Sequence, residues 1–215
     1  MSARSLLCSC VVVACGKTAD APKKPTADPA KVHALAVEMV KNVPAMAAVP
    51  ECEDAQLAGG ATMTYRTVQE LAGEKIPNDP EHAAWINPPA LDAPGARKLA
   101  GGAADREAAG ELLAAPFYVV YRVDMVNAPV ALAIKELKIG TVGVRVIRYD
   151  KAGRAICERP FYFQNDQAKS DWAIAHSTHV MIDPEVAEAM RVDLAEQFVK
   201  QAPRGAGSAG SAKAN

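Results

Sequence analysis

Apolar residues recur at helical spacing near both ends of the chain. Near the start, Asp28-Pro29 forms a helix-initiation signal, because aspartate is a good N-cap and proline suits the first turn. A stripe of apolar residues follows and predicts an amphipathic helix to about Asn42. Asp183-Pro184 repeats the signal, and Pro203 ends the second helix. The stripes are Val32, Leu35, Met39 and Val40 in the first helix, and Val186, Met190, Leu194 and Phe198 in the second.

Between these helices the pattern changes to the two-residue alternation of β-strands. Strands are predicted over residues 117–126, 141–149 and 155–163. Residues 150–153 form a hairpin turn in which Gly153 supplies a positive φ. Pro160 indicates an edge strand or a bulge, since proline cannot donate a ladder hydrogen bond. Residues 129–137 fit either a further strand or a helical turn.

Shorter helices are predicted over residues 64–72, 105–115 and 167–177, although the first of these also fits a strand. Residues 73–102 contain five prolines and predict an ordered surface excursion, pinned by Trp85 and Ile86.

This order of helices, strands and helices predicts an α+β fold. We expect an antiparallel sheet of three to four strands, over about residues 117–163, with N- and C-terminal helices packed on one face. Residues 29–203 suffice for a single domain. Residues 204–215 are rich in Gly, Ala and Ser and are predicted to be a disordered tail.

The N-terminus carries a targeting pattern. An apolar run of about ten residues follows Arg4 and is about half as long as a membrane-spanning helix. The run ends at Val12-Val13-Ala14-Cys15, which resembles the lipobox of bacterial lipoproteins. The resemblance implies that residues 1–14 are a cleaved signal peptide and that Cys15 becomes a diacylglyceryl thioether with an acylated amino group. Such chains anchor a protein durably, at about 0.8 kcal/mol for each buried CH₂.

Residues 15–28 then predict a lipidated cysteine and a disordered tether, because they lack an apolar period. Gly16 stands where an inner-membrane retention signal would place aspartate, which favours the outer membrane on the periplasmic side. Cleavage elsewhere, with Cys15 an ordinary thiol, or no export at all, is the alternative interpretation.

Five cysteines occur in the chain. Cys8 and Cys10 would leave with the signal peptide. Cys52 and Cys157 remain, and an exported protein with two such cysteines predicts a disulfide between them. Two separate buried thiols are the alternative. The acidic neighbours of Cys52 disfavour a reactive thiolate.

Composition and motifs argue against two classes of function, nucleic-acid binding and dinucleotide binding. The 24 basic and 25 acidic residues nearly balance, so no basic field favours nucleic acid. The Gly-x-Gly-x-x-Gly at residues 205–210 lacks the preceding strand and following helix of a dinucleotide site, and we expect no cofactor.

A histidine pair offers the strongest metal-binding signal. If the helix predicted over residues 167–177 runs on, His176 and His179 share a face at i, i+3 spacing. Asp183 could then complete the ligand set, with Asp171 or His82 as alternatives. This set would support a metal-binding protein or a hydrolase-type enzyme. Helix capping by the two histidines is the simpler interpretation.

The aromatic residues of the strands are expected to fill the core, with a ligand groove as the alternative. They are Phe117, Tyr118, Tyr121, Phe161, Tyr162 and Phe163. A tethered domain without a catalytic motif favours a cell-envelope lipoprotein. We expect a non-enzymatic interaction or ligand-binding module, held to the membrane by its lipid and able to contact an envelope protein.

Overall fold

A computed structural model describes residues 24–133, 136–176 and 184–203. Six α-helices, six strands and four short 3-10 turns lie within this part of the chain. The helices are α1 (Pro29–Lys41), α2 (Tyr65–Leu71), α3 (Pro94–Ala100), α4 (Arg106–Ala114), α5 (Gln167–His176) and α6 (Pro184–Gln201). The strands are β1 (Ala61–Thr64), β2 (Tyr118–Asn127), β3 (Val130–Ala133), β4 (Glu136–Lys138), β5 (Thr141–Tyr149) and β6 (Ala155–Gln164). None of the described helices is both long and apolar enough to cross a membrane.

The main sheet has four strands in the order β1-β2-β5-β6. The pairs β2–β5 and β5–β6 are antiparallel, as the alternating pattern predicted. The fourth strand, β1, pairs in parallel with β2 and lies outside the predicted range. The α+β prediction is therefore confirmed, with a mixed sheet that is mostly antiparallel. Residues 129–137, left open between strand and helix, include β3 and the start of β4, and these two strands pair as a separate small sheet.

Helices cover both faces of the sheet, which corrects the expectation of one covered face. On the face of Tyr118 and Val120, which we call the first face, α1 to α4 pack in one apolar cluster. On the face of Val119 and Tyr121, the second face, α6 packs with the 3-10 turn Ala84–Ile86. Residues 118–121 are all nearly inaccessible, at 0–1% exposure. An apolar run without polar alternation is typical of a strand buried on both sides.

Polar side chains cap the first turns of three helices, as the sequence predicted for α1, while the predicted cap at Asp183 lies outside the described residues. The Asp28 side chain accepts a hydrogen bond from the Ala30 amide, and Thr64 accepts one from the Thr67 amide. Asp105 accepts from two amides at the start of α4. Each bond satisfies a helix-end donor that has no partner within the helix.

The ordered chain begins before the predicted boundary at residue 29. The Ala27 amide donates to the Arg106 carbonyl at 2.8 Å, and Lys24 pairs with Glu107 on α4. Gly110 makes this approach possible, because a Cβ there would lie 2.2 Å from the Pro25 carbonyl oxygen. Residues 24–28, predicted as tether, therefore lie against α4. Cys15, the predicted signal peptide, the rest of the predicted tether and the predicted tail lie outside the described residues.

The proline-rich excursion is anchored as predicted by Ile86, which is fully buried, while Trp85 is half-buried. It also contains α3, which the sequence analysis missed among the prolines. A buried carboxylate, Asp92, fastens this segment to the sheet: it accepts hydrogen bonds from the Thr64 amide at 2.6 Å and the Thr67 hydroxyl at 2.9 Å.

Cys52 and Cys157 form the predicted disulfide, with an S–S distance of 2.05 Å. The bridge joins β6 to the segment that leads from α1 toward β1. It closes a loop of 105 residues, so it links parts of the chain that are remote in sequence.

A polar network docks α6 on the second face. Asp193, 2% exposed, accepts hydrogen bonds from the Asn165 side chain and the Asp166 amide and pairs with Lys169. Asn165 also accepts from the Gly140 amide at 2.8 Å. Burial disfavours ionisation of Asp193, but its hydrogen-bond donors outweigh that effect and hold its pKa below the usual range.

Candidate ligand-binding cleft

A cleft of about 500 Å³ opens at one end of the first face. Residues of β2, β5 and β6 form its floor. Its wall is the segment that follows α1, residues 44–51, which we call the arch. The side chains that line it are Met46, Ala47, Val49, Glu51, Asp124, Met125, Gly143, Val144, Arg145, Glu158, Pro160 and Tyr162.

A bulge in β2 shapes the cleft. The register between β2 and β5 shifts between Val123 and Met125, so Asp124 has no direct partner and Met125 pairs with Gly143. Gly143 in turn pairs with Tyr162 of β6. An extra residue in one strand resets its alternation. Asp124 and Met125, although adjacent in sequence, therefore both line the cleft.

Buried ion pairs form the inner end of the cleft. Arg145, whose side chain is 6% exposed, makes a two-point contact with Asp124 and donates to Glu158 at 2.9 Å. It also donates to the Pro44 carbonyl at 2.9 Å. Burial alone would lower the pKa of Arg145, but the hydrogen bonds and charges of the two carboxylates raise it. The guanidinium thus stays charged and ties all three strands to the arch.

Glu158 connects the arch to β6 through its side chain and its backbone. Its carboxylate accepts a hydrogen bond from the Ala47 amide, and its backbone bonds the Pro50 carbonyl and the Cys52 amide at 2.9 and 3.0 Å. Ala47 has a φ of 59°, which is unfavourable for a residue with a side chain. The surrounding hydrogen bonds and the adjacent disulfide therefore hold the arch against the sheet.

The outer end of the cleft is apolar and open to solvent. Tyr162 is 70% exposed, Met46 71% and Met125 39%. A Cβ on Gly143 would lie 2.9 Å from Cε1 of the Tyr162 ring, so glycine lets the ring lie close to the sheet. A ring and two thioether side chains thus surround a polar floor, which is the usual composition of small-ligand sites.

The structure describes none of the three side chains first predicted as metal ligands. His176 ends α5, and its side chain lies outside the described part of the chain, as do His179 and Asp183. Of the alternative ligands, His82 contacts Asp79 at 2.7 Å and Asp171 accepts from Gln167 at 2.8 Å. Within residues 24–133, 136–176 and 184–203, no three potential ligands could hold a metal ion. The metal site stays a prediction.

Most of the aromatic residues predicted for the core pack there. Tyr118, Tyr121 and Phe163 are buried, and Phe161 and Phe163 contact Phe198 of α6. Phe117 is half-buried beneath the Arg148 guanidinium. Of the six, Tyr162 alone lines the cleft. Sequence reasoning missed the other cleft residues, although charged Asp124 and Arg145 within apolar strands were a visible signal.

A second apolar surface lies along α6. Trp172 is 63% exposed and Val192 50% exposed, and Val192 borders two adjoining surface depressions. Trp85 lines one of these depressions and Trp172 the other.

No known protein family matches this chain, and neither a curated protein nor a solved structure is detectably similar to it.

Proposed function

We propose that this protein is a bacterial cell-envelope lipoprotein whose domain is a non-enzymatic ligand-binding module. The observation that carries the binding role is the cleft between the arch and the sheet. Its shape is maintained by the Arg145 ion pairs and the disulfide, so a ligand would meet a preformed site, which lowers the entropic cost of binding.

The anchoring part of the proposal has separate support. The lipobox at residues 12–15 supplies the modifiable cysteine, and residues 16–23 supply a connection to the domain. The Cys52–Cys157 disulfide favours an oxidising compartment outside the cytoplasm. Gly16 favours the outer membrane.

Radioactive palmitate labelling in bacterial cells tests the anchor. We expect the wild-type chain to incorporate label and to sediment with membranes, and the Cys15→Ser variant to lose the label. Cys10→Ser is the matched control, since its cysteine lies within the signal peptide, and it should keep the label. Label retained by Cys15→Ser, or absent from the wild type, would contradict the proposal.

The apolar surface of α6 supports a role in contacting an envelope protein, because exposed apolar patches mark interaction sites. A photo-crosslinking amino acid at Val192 should give a crosslinked species in cells. The same amino acid at the neighbouring Arg191 should not. If neither position gives a crosslink, α6 is not the contact surface.

A further inference from the structure

The charge of the cleft distinguishes it from an ordinary apolar groove. Three carboxylates line it, those of Glu51, Asp124 and Glu158, against the single cation Arg145. Arg122 also contacts Asp124, at 3.2 Å, and counting it still leaves three negative charges against two positive ones. The cleft therefore carries a net negative charge beside an apolar rim.

The cation within the cleft is unavailable to a ligand. Arg145 is 6% exposed and its donors are directed to Asp124, Glu158 and the arch. By contrast, Glu51 is exposed and Asp124 retains 19% side-chain exposure. A ligand entering the cleft therefore meets accessible negative charge and a shielded positive one.

The side chains of the rim can contact both a cationic group and an apolar one. The face of an aromatic ring carries partial negative charge and attracts ammonium groups, so Tyr162 can hold a cation as well as an apolar body. Met46 and Met125 add polarizable thioethers that adapt to varied apolar shapes.

On these grounds we propose that the cleft binds a small organic cation: a protonated or quaternary amine attached to an apolar body. This inference rests on the proposed ligand-binding role and specifies its ligand class. The ammonium group lies between Glu51, Asp124 and the Tyr162 ring, and the apolar body lies against Met46 and Met125.

The edge of the sheet favours a small molecule over an extended peptide. In the edge strand β6, the backbone N–H and C=O of Glu158 point away from β5 and bond Pro50 and Cys52. Because the direction of these groups alternates along a strand, the backbone of residue 160 also points away from β5. Pro160 has no N–H to offer an added strand, and prolines protect edge strands from such pairing. The cleft volume of about 500 Å³ also lies within the usual range of small-molecule sites.

The test compares three probes that share one apolar body: 4-phenylbutylamine, 4-phenylbutanol and 4-phenylbutyric acid. Binding to the full chain, with its disulfide intact, is followed by chemical-shift changes of backbone amides. We expect the amine to bind most tightly, with shifts at Met125, Gly143 and Tyr162, and the acid to bind most weakly. Raising the salt concentration should weaken amine binding, because exposed charges are screened.

Two variants locate the interaction. Glu51→Gln should weaken amine binding about two- to fivefold, as expected for a partly exposed ion pair. Tyr162→Ala should weaken it about three- to tenfold through the lost ring contact. Glu38→Gln, an exposed glutamate on α1, and Ile156→Ala, a half-exposed residue of β6 outside the cleft, are matched controls and should leave the affinity unchanged.

The outcomes separate this inference from the broader proposal. Equal or tighter binding of the acid or the alcohol in the cleft overturns the preference for cations and keeps the ligand-binding role. Amine binding that is insensitive to both variants, or shifts confined to other surfaces, also overturns the inference. Binding of none of the probes overturns it as well, while the palmitate experiment tests the lipid anchor independently.

Discussion

The carboxylate of Glu158 on β6 bonds the Arg145 guanidinium of β5 at 2.9 Å, and both side chains are 6% exposed. This pair connects the sheet to the arch and thereby forms the inner end of the cleft. Removing one partner of a buried ion pair leaves the other charge without compensation, which is far more costly than losing an exposed pair.

We expect Arg145→Met to lower the free energy of unfolding by about 3–5 kcal/mol, because Glu158 and Asp124 would lose their buried partner. Urea denaturation followed by circular dichroism measures the change. Arg154→Met is the control, since the Arg154 side chain is 73% exposed in its pair with Asp150. That variant should lose less than about 1 kcal/mol, and similar losses in both would contradict the role assigned to burial.

Loss of the disulfide should destabilise the domain and loosen the arch. For a loop of 105 residues, chain entropy predicts a loss of at most about 4–5 kcal/mol in the Cys52→Ser, Cys157→Ser double variant. Hydrogen exchange should be faster at the backbone amides of positions 47 and 52 in this variant than in the wild type. Reductant should not change the denaturation midpoint of the double variant. If reductant also left the wild-type midpoint unchanged, the disulfide would make no contribution to stability.

The buried carboxyl group of Asp92 should make the stability of the domain depend on pH. Burial raises the pKa of its carboxyl above the usual range, although the Thr64 and Thr67 hydrogen bonds oppose the shift. A folded-state pKa above the unfolded one means that the contribution to stability is present below the unfolded pKa and is lost as the pH rises through the folded pKa. We therefore expect the unfolding free energy of the wild type, relative to Asp92→Asn, to fall as the pH rises above the unfolded pKa of about 4 and through the folded one.

Urea denaturation midpoints of the two proteins, measured from about pH 4 upward, give this difference in unfolding free energy. Asparagine is the suitable replacement because its side-chain oxygen can still accept the hydrogen bond from the Thr64 amide. Asp92→Ala is the control for the hydrogen bonds, and it should be less stable than Asp92→Asn by about 1–3 kcal/mol at every pH, since neither side chain ionises. A wild type that gains stability over Asp92→Asn as the pH rises would reverse the predicted sign.

Asp193 should show the opposite dependence. Its pKa is lowered despite burial, because Asn165, Lys169 and the Asp166 amide donate to the carboxylate. Its contribution is present above the unfolded pKa, about 3.9, and is lost as the pH falls through the folded value. The stability of the wild type relative to Asp193→Asn should therefore decline on acidification below about pH 4. A difference that is independent of pH would contradict this.

Gly110→Ala tests the position of residues 24–28. In an exposed helix this change is stabilising by about 1 kcal/mol, but here the new Cβ would lie 2.2 Å from the Pro25 carbonyl oxygen. We expect the segment to leave α4 and the Ala27 amide to exchange faster. Gly101→Ala, whose Cβ would meet nothing nearer than 3.5 Å, is the control. Unchanged protection of Ala27 would show that the close packing is not required.

Local signals in the sequence determined much of this fold. The Asp-Pro start and the apolar stripe placed α1, because capping and periodicity act within a few residues. The same reasoning placed β2, β5 and the hairpin turn at Gly153, which has the expected positive φ of 75°. Cys52 and Cys157, the two cysteines that follow the lipobox-like segment, predicted their own pairing.

Only the tertiary structure decided where distant segments meet. The parallel pairing of β1 with β2, and the packing of helices on both faces, depend on contacts between residues far apart in the chain. The cleft likewise required a bulge at Asp124, an arch after α1 and a tyrosine on β6 to converge. No local pattern records such a convergence, because each residue there fits an ordinary strand or loop when it is considered alone.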